Sequence, residues 1–199
     1  MFIKKQATRL SDGLVSINVI EKKSHAIYVY GFELLISAAV NILFMAIISI
    51  AFRNYFGWVL FLVSFISLRT TAGGYHASSH AKCIIVTTAG FTSLMLLSLI
   101  NIDWTYIILA IAVVSFLLIL LLSPVEADNK KLNEERRMRN RKISICIGLT
   151  NLLIAATATF YLQNHSELLV IYFAGVFAAA LSMLVAKSLK IQRERRAQE

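Results

Sequence analysis

Disulfide chemistry and flexible linkers are the first things this chain does without. It has two cysteines, Cys83 and Cys146, and one proline, Pro124, in 199 residues. Two cysteines in a chain read as facing the cytoplasm exclude a disulfide framework. No internal repeat or low-complexity stretch divides the sequence, so residues 1–199 read as a single domain. The first 24 residues are polar and basic and lack a compact apolar core, so no cleavable signal peptide is expected.

Apolar surface is what the chain has in excess. Hydrophobic residues make up 58% of it and the mean hydropathy is +0.70, too apolar for an ordinary soluble domain. A membrane span needs about 20 apolar residues. Candidate runs are Ala26–Phe52, Tyr55–Leu68, Ile84–Ile100, Trp104–Ser123, Ile143–Leu162 and Leu168–Ala186. The expected fold is therefore an all-α integral membrane protein with six transmembrane helices.

The net charge of +9 has a topological origin. With the N-terminus inside, the cytoplasmic segments hold Lys4, Lys5, Arg9, Lys22 and Lys23, then Arg69 and Lys82, then seven basic residues from Lys130 to Lys142. Lys187, Lys190, Arg193, Arg195 and Arg196 complete the set, and Arg53 alone falls outside. The turns Asn101–Asp103 and Gln163–Glu167 carry no lysine or arginine. This positive-inside pattern predicts both termini in the cytoplasm. It gives the basic residues membrane lipid, rather than nucleic acid, as a partner. Trp58, Trp104 and Tyr161 fall at the opposite boundary, as an aromatic belt would.

Within the domain, residues 1–24 read as an amphipathic in-plane helix, 26–189 as the bundle and 190–199 as a basic cytoplasmic tail. Ile3, Ala7, Leu10, Leu14 and Ile17 recur at helical spacing over residues 2–21. The second span, Tyr55–Leu68, gives only about 21 Å of helix against a hydrocarbon core of about 30 Å. Either it continues to Ala72 with Arg69 snorkelling, or the following segment dips below the headgroups. Pro124–Lys142 reads as a long polar cytoplasmic loop, and Cys146 as a small buried hydrophobe in the fifth span.

Residues 69–83, from Arg69 to Cys83, are polar and glycine-broken between two apolar runs. Ionisable groups at such a place call for a function. Cys83 as nucleophile with His76 as base is one arrangement. In a continuous helix these two would lie about 10.5 Å apart along the axis, so the pair needs a break, which Gly73, Gly74, Ser78 and Ser79 can supply. Ser79 as N-cap would leave Cys83 in the first turn of the third span, where the helix dipole and Lys82 favour a thiolate. His80 is the alternative base, at i, i+3 from Cys83. His76, His80 and Cys83 together also have the spacing of a metal site, as in a metal-binding transporter or metallopeptidase. A purely structural reading stands beside these three.

The segment resembles the signature of the AgrB (accessory gene regulator B) family of membrane cysteine endopeptidases. It has the arginine (Arg69), the glycine step (Gly73, Gly74), Gly-x-His-Ala ending in His76 and Ala77, and Cys83 seven residues after the histidine. Residues 30–35 and 123–132 resemble further stretches of the family. The resemblance implies Cys83 as nucleophile and His76 as general base, with no cofactor and no metal. It implies an AgrD-like precursor peptide as substrate, cleaved and cyclised through a thioester, in the bacterial cytoplasmic membrane. A homodimer is implied as well. Glu33, in the first span, is a candidate to orient His76, to pair with Arg69, or merely to reach the interface. Ser78, Ser79 and backbone amides near the third helix are candidate oxyanion donors.

Overall fold

The computed structural model describes residues 2–74, 80–100, 102–125, 133–161 and 166–196, and every regular element longer than one turn among them is an α-helix. These are α1 (Phe2–Ser16), α2 (His25–Ala51), α3 (Gly57–Ala72), α4 (His80–Ser98), α5 (Thr105–Leu122), α6 (Glu134–Tyr161) and α7 (Ser166–Arg196). Five of them, α2 and α4 to α7, are long and apolar enough to cross a membrane. The apolar helix α3 has 16 residues, about 24 Å, and stays short of a bilayer core of about 30 Å. It does reach Ala72, with Arg69 in its last turn, which is the helix extent of the first of the two alternatives for this span.

Polar ends depart from the apolar runs. α1 stops at Ser16 rather than continuing to residue 21, and the stop has a physical cause. Asn18 takes a left-handed φ of +56°. Its N–H donates to the Val15 carbonyl at 3.0 Å, and that of Val19 to the Leu14 carbonyl at 3.0 Å. That pairing closes a helix around an αL residue, a position asparagine tolerates. α6 begins nine residues before Ile143, so part of the expected loop is helical. The Asn133 side chain accepts from the Glu134 N–H at 2.8 Å, and Glu134 and Glu135 fill the first turn, where the helix dipole favours acids. α7 likewise runs on to Arg196, with Arg193, Arg195 and Arg196 in its last turn. The run from Glu134 to Arg137 at the start of α6 is exposed.

Residues 2–53 and 80–93 form one compact unit. In it α1 lies against α2, with Ala7 and Ser11 fully buried. Ser11 Oγ donates to the His25 carbonyl at 3.2 Å, and His25 Nε2 meets Asp12 Oδ1 at 2.9 Å. The covered edge of α1 is Ile3, Ala7, Ser11 and Leu14, whereas Leu10 and Ile17, expected on the same stripe, stay exposed.

Residues 54–74 and 94–196 form the second unit. Its centre is α7, packed on α3 and α5, with α6 against α5 and α3. The core joins Leu68 and Ala72 of α3, Ile108, Ala112 and Ile119 of α5, Ala155 of α6, and Phe173, Val176, Ala179 and Met183 of α7. Small residues permit the close approach. A Cβ on Gly175 would overlap Ser64 Oγ and come within 2.7 Å of the Phe61 carbonyl oxygen. Gly175, Ala179 and Ala180 are buried inside this unit, so that small-residue face is an intramolecular one. Where α5 starts, the Thr105 N–H donates to Asp103 Oδ1 at 3.0 Å. Hydrogen bonds from the Thr105 side chain and backbone hold the Asp103 carboxyl below its ordinary range.

Candidate active site

Cys83 is the fourth residue of α4, so it sits in the first turn, as expected from the sequence. It is a free, half-buried thiol. Lys82 beside it is exposed. Glu33 is half-buried about two turns into α2. Ser78, Ser79 and His76 lie outside the described residues, as does the side chain of His80. Each arrangement drawn from these groups, the His76–Cys83 pair, the His80–Cys83 pair and the metal triad, therefore depends on residues outside the described set.

The approach to His76 is built in detail. α3 and α4 are separate helices: α3 stops at Ala72, and Gly73 and Gly74 have φ of +77° and +145°. Both values suit glycine and strain any other residue. The space confirms the need. A Cβ on Gly73 would overlap the Val125 carbonyl oxygen, and one on Gly74 would overlap Ser182 Oγ and approach Arg69 Nη1 to 3.0 Å.

Three elements of the second unit hold this end of α3. The segment after α5 is bound by the Val125 N–H, which donates to the Ala72 carbonyl at 2.9 Å, making a short parallel bridge beside Gly73. From α6, the buried Ser144 hydroxyl shares a hydrogen bond of 3.0 Å with Thr71 Oγ1 and lies 2.8 Å from the Asn140 carbonyl. From α7, Ser182 Oγ accepts from Arg69 Nη1 at 3.1 Å and donates to the Ala179 carbonyl at 2.7 Å. Arg69 also lies over the Phe65 ring, 5.4 Å from its centroid, a cation–π contact that fixes the guanidinium laterally. Arg69 thus has a described partner in Ser182.

Ser182, Thr71, Ser144 and Val125 were not singled out by sequence reasoning. Ser182 left a signal: apart from Tyr172 it is the one hydroxyl in the run Leu168–Ala186, and a hydroxyl in an apolar helix seeks an interhelical partner. Cys146 corrects an expectation. It is exposed, because α6 buries the stripe Ser144, Gly148, Asn151 and Ala155, and Cys146 falls between those positions on the helical wheel.

Against known families, the chain matches the family model for AgrB, accessory gene regulator B, over residues 7–186. No curated protein and no solved structure matches it.

Proposed function

The chain belongs to the AgrB family, and from that membership we propose that it is a membrane-embedded cysteine endopeptidase with Cys83 as nucleophile and His76 as general base. Membership carries with it a part in the peptide processing of agr quorum sensing, in a multi-pass membrane protein. The substrate is an AgrD-like precursor. His76 takes the Cys83 proton, and the thiolate attacks the carbonyl at the junction between signal core and C-terminal tail. The C–S bond forms, the C–N bond breaks, and the imidazolium returns the proton to the leaving amine. A cysteine or serine of the core then attacks the thioester, closes a thiolactone or lactone ring and frees Cys83. Hydrolysis of the thioester is strongly downhill whereas exchange is nearly neutral, so the site must exclude water until the ring closes.

The observation that carries this reading is the family match across residues 7–186, together with a half-buried free thiol in the first turn of α4. In the proposed topology α3 completes six crossings with both termini in the cytoplasm of the bacterial cell. The exposed basic start of α6 and the basic end of α7 then face the cytoplasm, and they complement an acidic peptide tail. The homodimer that family membership suggests uses a face other than the buried Gly175, Ala179 and Ala180 of α7. The test is co-expression with the precursor peptide, followed by mass. Cleavage should be lost in Cys83→Ala and His76→Ala and kept in His80→Ala. Cleavage that survives either of the first two, or that chelation stops and alkylation does not, sinks the reading.

A further inference from the structure

The geometry points to Ser182 of α7 as a positioning residue: its hydroxyl holds Arg69 across Gly74 and so fixes where the chain leaves α3 toward His76. The inference rests on the His76–Cys83 reading above. Three observations converge on this one hydroxyl. Ser182 Oγ accepts from Arg69 Nη1 at 3.1 Å. Its own proton is committed to the Ala179 carbonyl at 2.7 Å, so its lone pairs are turned to the guanidinium rather than free to rotate. A Cβ on Gly74 would strike that same oxygen and would come within 3.0 Å of the same Arg69 nitrogen.

Gly74 is thus wedged against an Arg–Ser pair that is itself anchored to the α7 backbone. Gly74 precedes His76 by two residues, and with Gly73 pinned by Val125 the departure of the chain is defined on both sides. α7 is the most deeply packed helix of its unit, with Phe173, Val176, Ala179 and Met183 all buried. A hydroxyl on that helix is a rigid reference point, which is what a general base needs from the residues behind it. Arg69 is well suited to the task, since its planar fork can serve Ser182 while the face stacks on Phe65.

The test uses the full-length protein in detergent or nanodiscs, in a Cys146→Ser background so that Cys83 is the one thiol. The rate of Cys83 alkylation by iodoacetamide is followed against pH, beside single-turnover cleavage of the precursor and the melting temperature. A base held in place keeps the thiol reactive near neutral pH, whereas a free thiol ionises only around about pH 8.5. Ser182→Ala is expected to slow alkylation near neutral pH toward the level of His76→Ala and to converge with the parent above about pH 10. Cleavage should fall about 10- to 100-fold. Ser182→Thr, which keeps the hydroxyl, should restore the parent profile.

If His76→Ala shifts the profile and Ser182→Ala does not, the positioning role is wrong and the dyad stands. A uniform loss at every pH, with a lowered melting temperature, would mean that Ser182 only packs, and overturns the inference. If His76→Ala leaves the profile unchanged, the dyad itself fails, and the inference with it.

Discussion

Replacing Gly73 with alanine should disable the protein while leaving most of its fold in place. Gly73 has φ +77° and ψ −159°, a region open essentially to glycine alone, where another residue costs about 1–3 kcal/mol. Its Cβ would also overlap the Val125 carbonyl, so the two segments must part. Losing the Val125–Ala72 hydrogen bond costs about 0.5–1.5 kcal/mol more. The local sum is roughly 1.5–4.5 kcal/mol, against a typical total stability of about 5–15 kcal/mol. The chain relieves such strain by shifting the junction, and a displacement of about 1 Å at a catalytic group costs on the order of 100-fold in rate. The assay is single-turnover cleavage of the precursor beside a thermal melt in detergent. Gly73→Ala should cleave about 100-fold more slowly and melt at most roughly 18 °C lower. Cleavage within about twofold of the parent would refute the claim that this junction positions a catalytic group.

Other outcomes follow from the packing and the helix ends. Gly175→Ala should overpack the α3–α7 contact against Ser64 and Phe61 and lower stability by about 1–3 kcal/mol; an unchanged melt would mean that the helices approach less closely than described. Asp103→Asn should lower the melting temperature at neutral pH. The folded carboxyl lies below its ordinary range, so its contribution is present above the unfolded value near about 3.9 and is lost as pH falls through the folded value. The gap between parent and variant should therefore close in acid, and a gap independent of pH would rule out a charge effect. Cys146→Ser should leave cleavage unchanged, because the side chain lies off the buried stripe of α6; a large loss would show a role for the second thiol.

The helices were legible where composition alone decides. Runs such as Trp104–Ser123 contain nothing but apolar residues and hydroxyls after the first turn, and α5 follows that run to within a residue at each end. Ends governed by capping were missed, because an apolar window cannot see Asn133 closing the front of α6 or Asn18 ending α1. The glycine step was readable as a break, since two adjacent glycines in a polar segment signal unusual backbone. Its partners were not. Val125, Ser144 and Ser182 lie 52, 73 and 113 residues from Gly73, Thr71 and Arg69 in turn, and no local pattern encodes a contact over such separations. The spacing of the N-terminal stripe fixed a face but not which edge of it α2 covers: Ala7 and Ser11 are buried while Leu10 and Ile17 stay exposed.

The central claim is that Cys83 carries the peptide as a thioester. Its most direct measurement is the intact mass of the full-length protein quenched in acid during turnover with its precursor. An adduct equal to the precursor minus its C-terminal tail should appear on the parent protein, disappear on treatment with hydroxylamine, and be absent from Cys83→Ala. Tail release from the Cys83→Ala protein, or turnover by the parent with no such adduct at any quench time and a water-derived oxygen in the linear product, would contradict it.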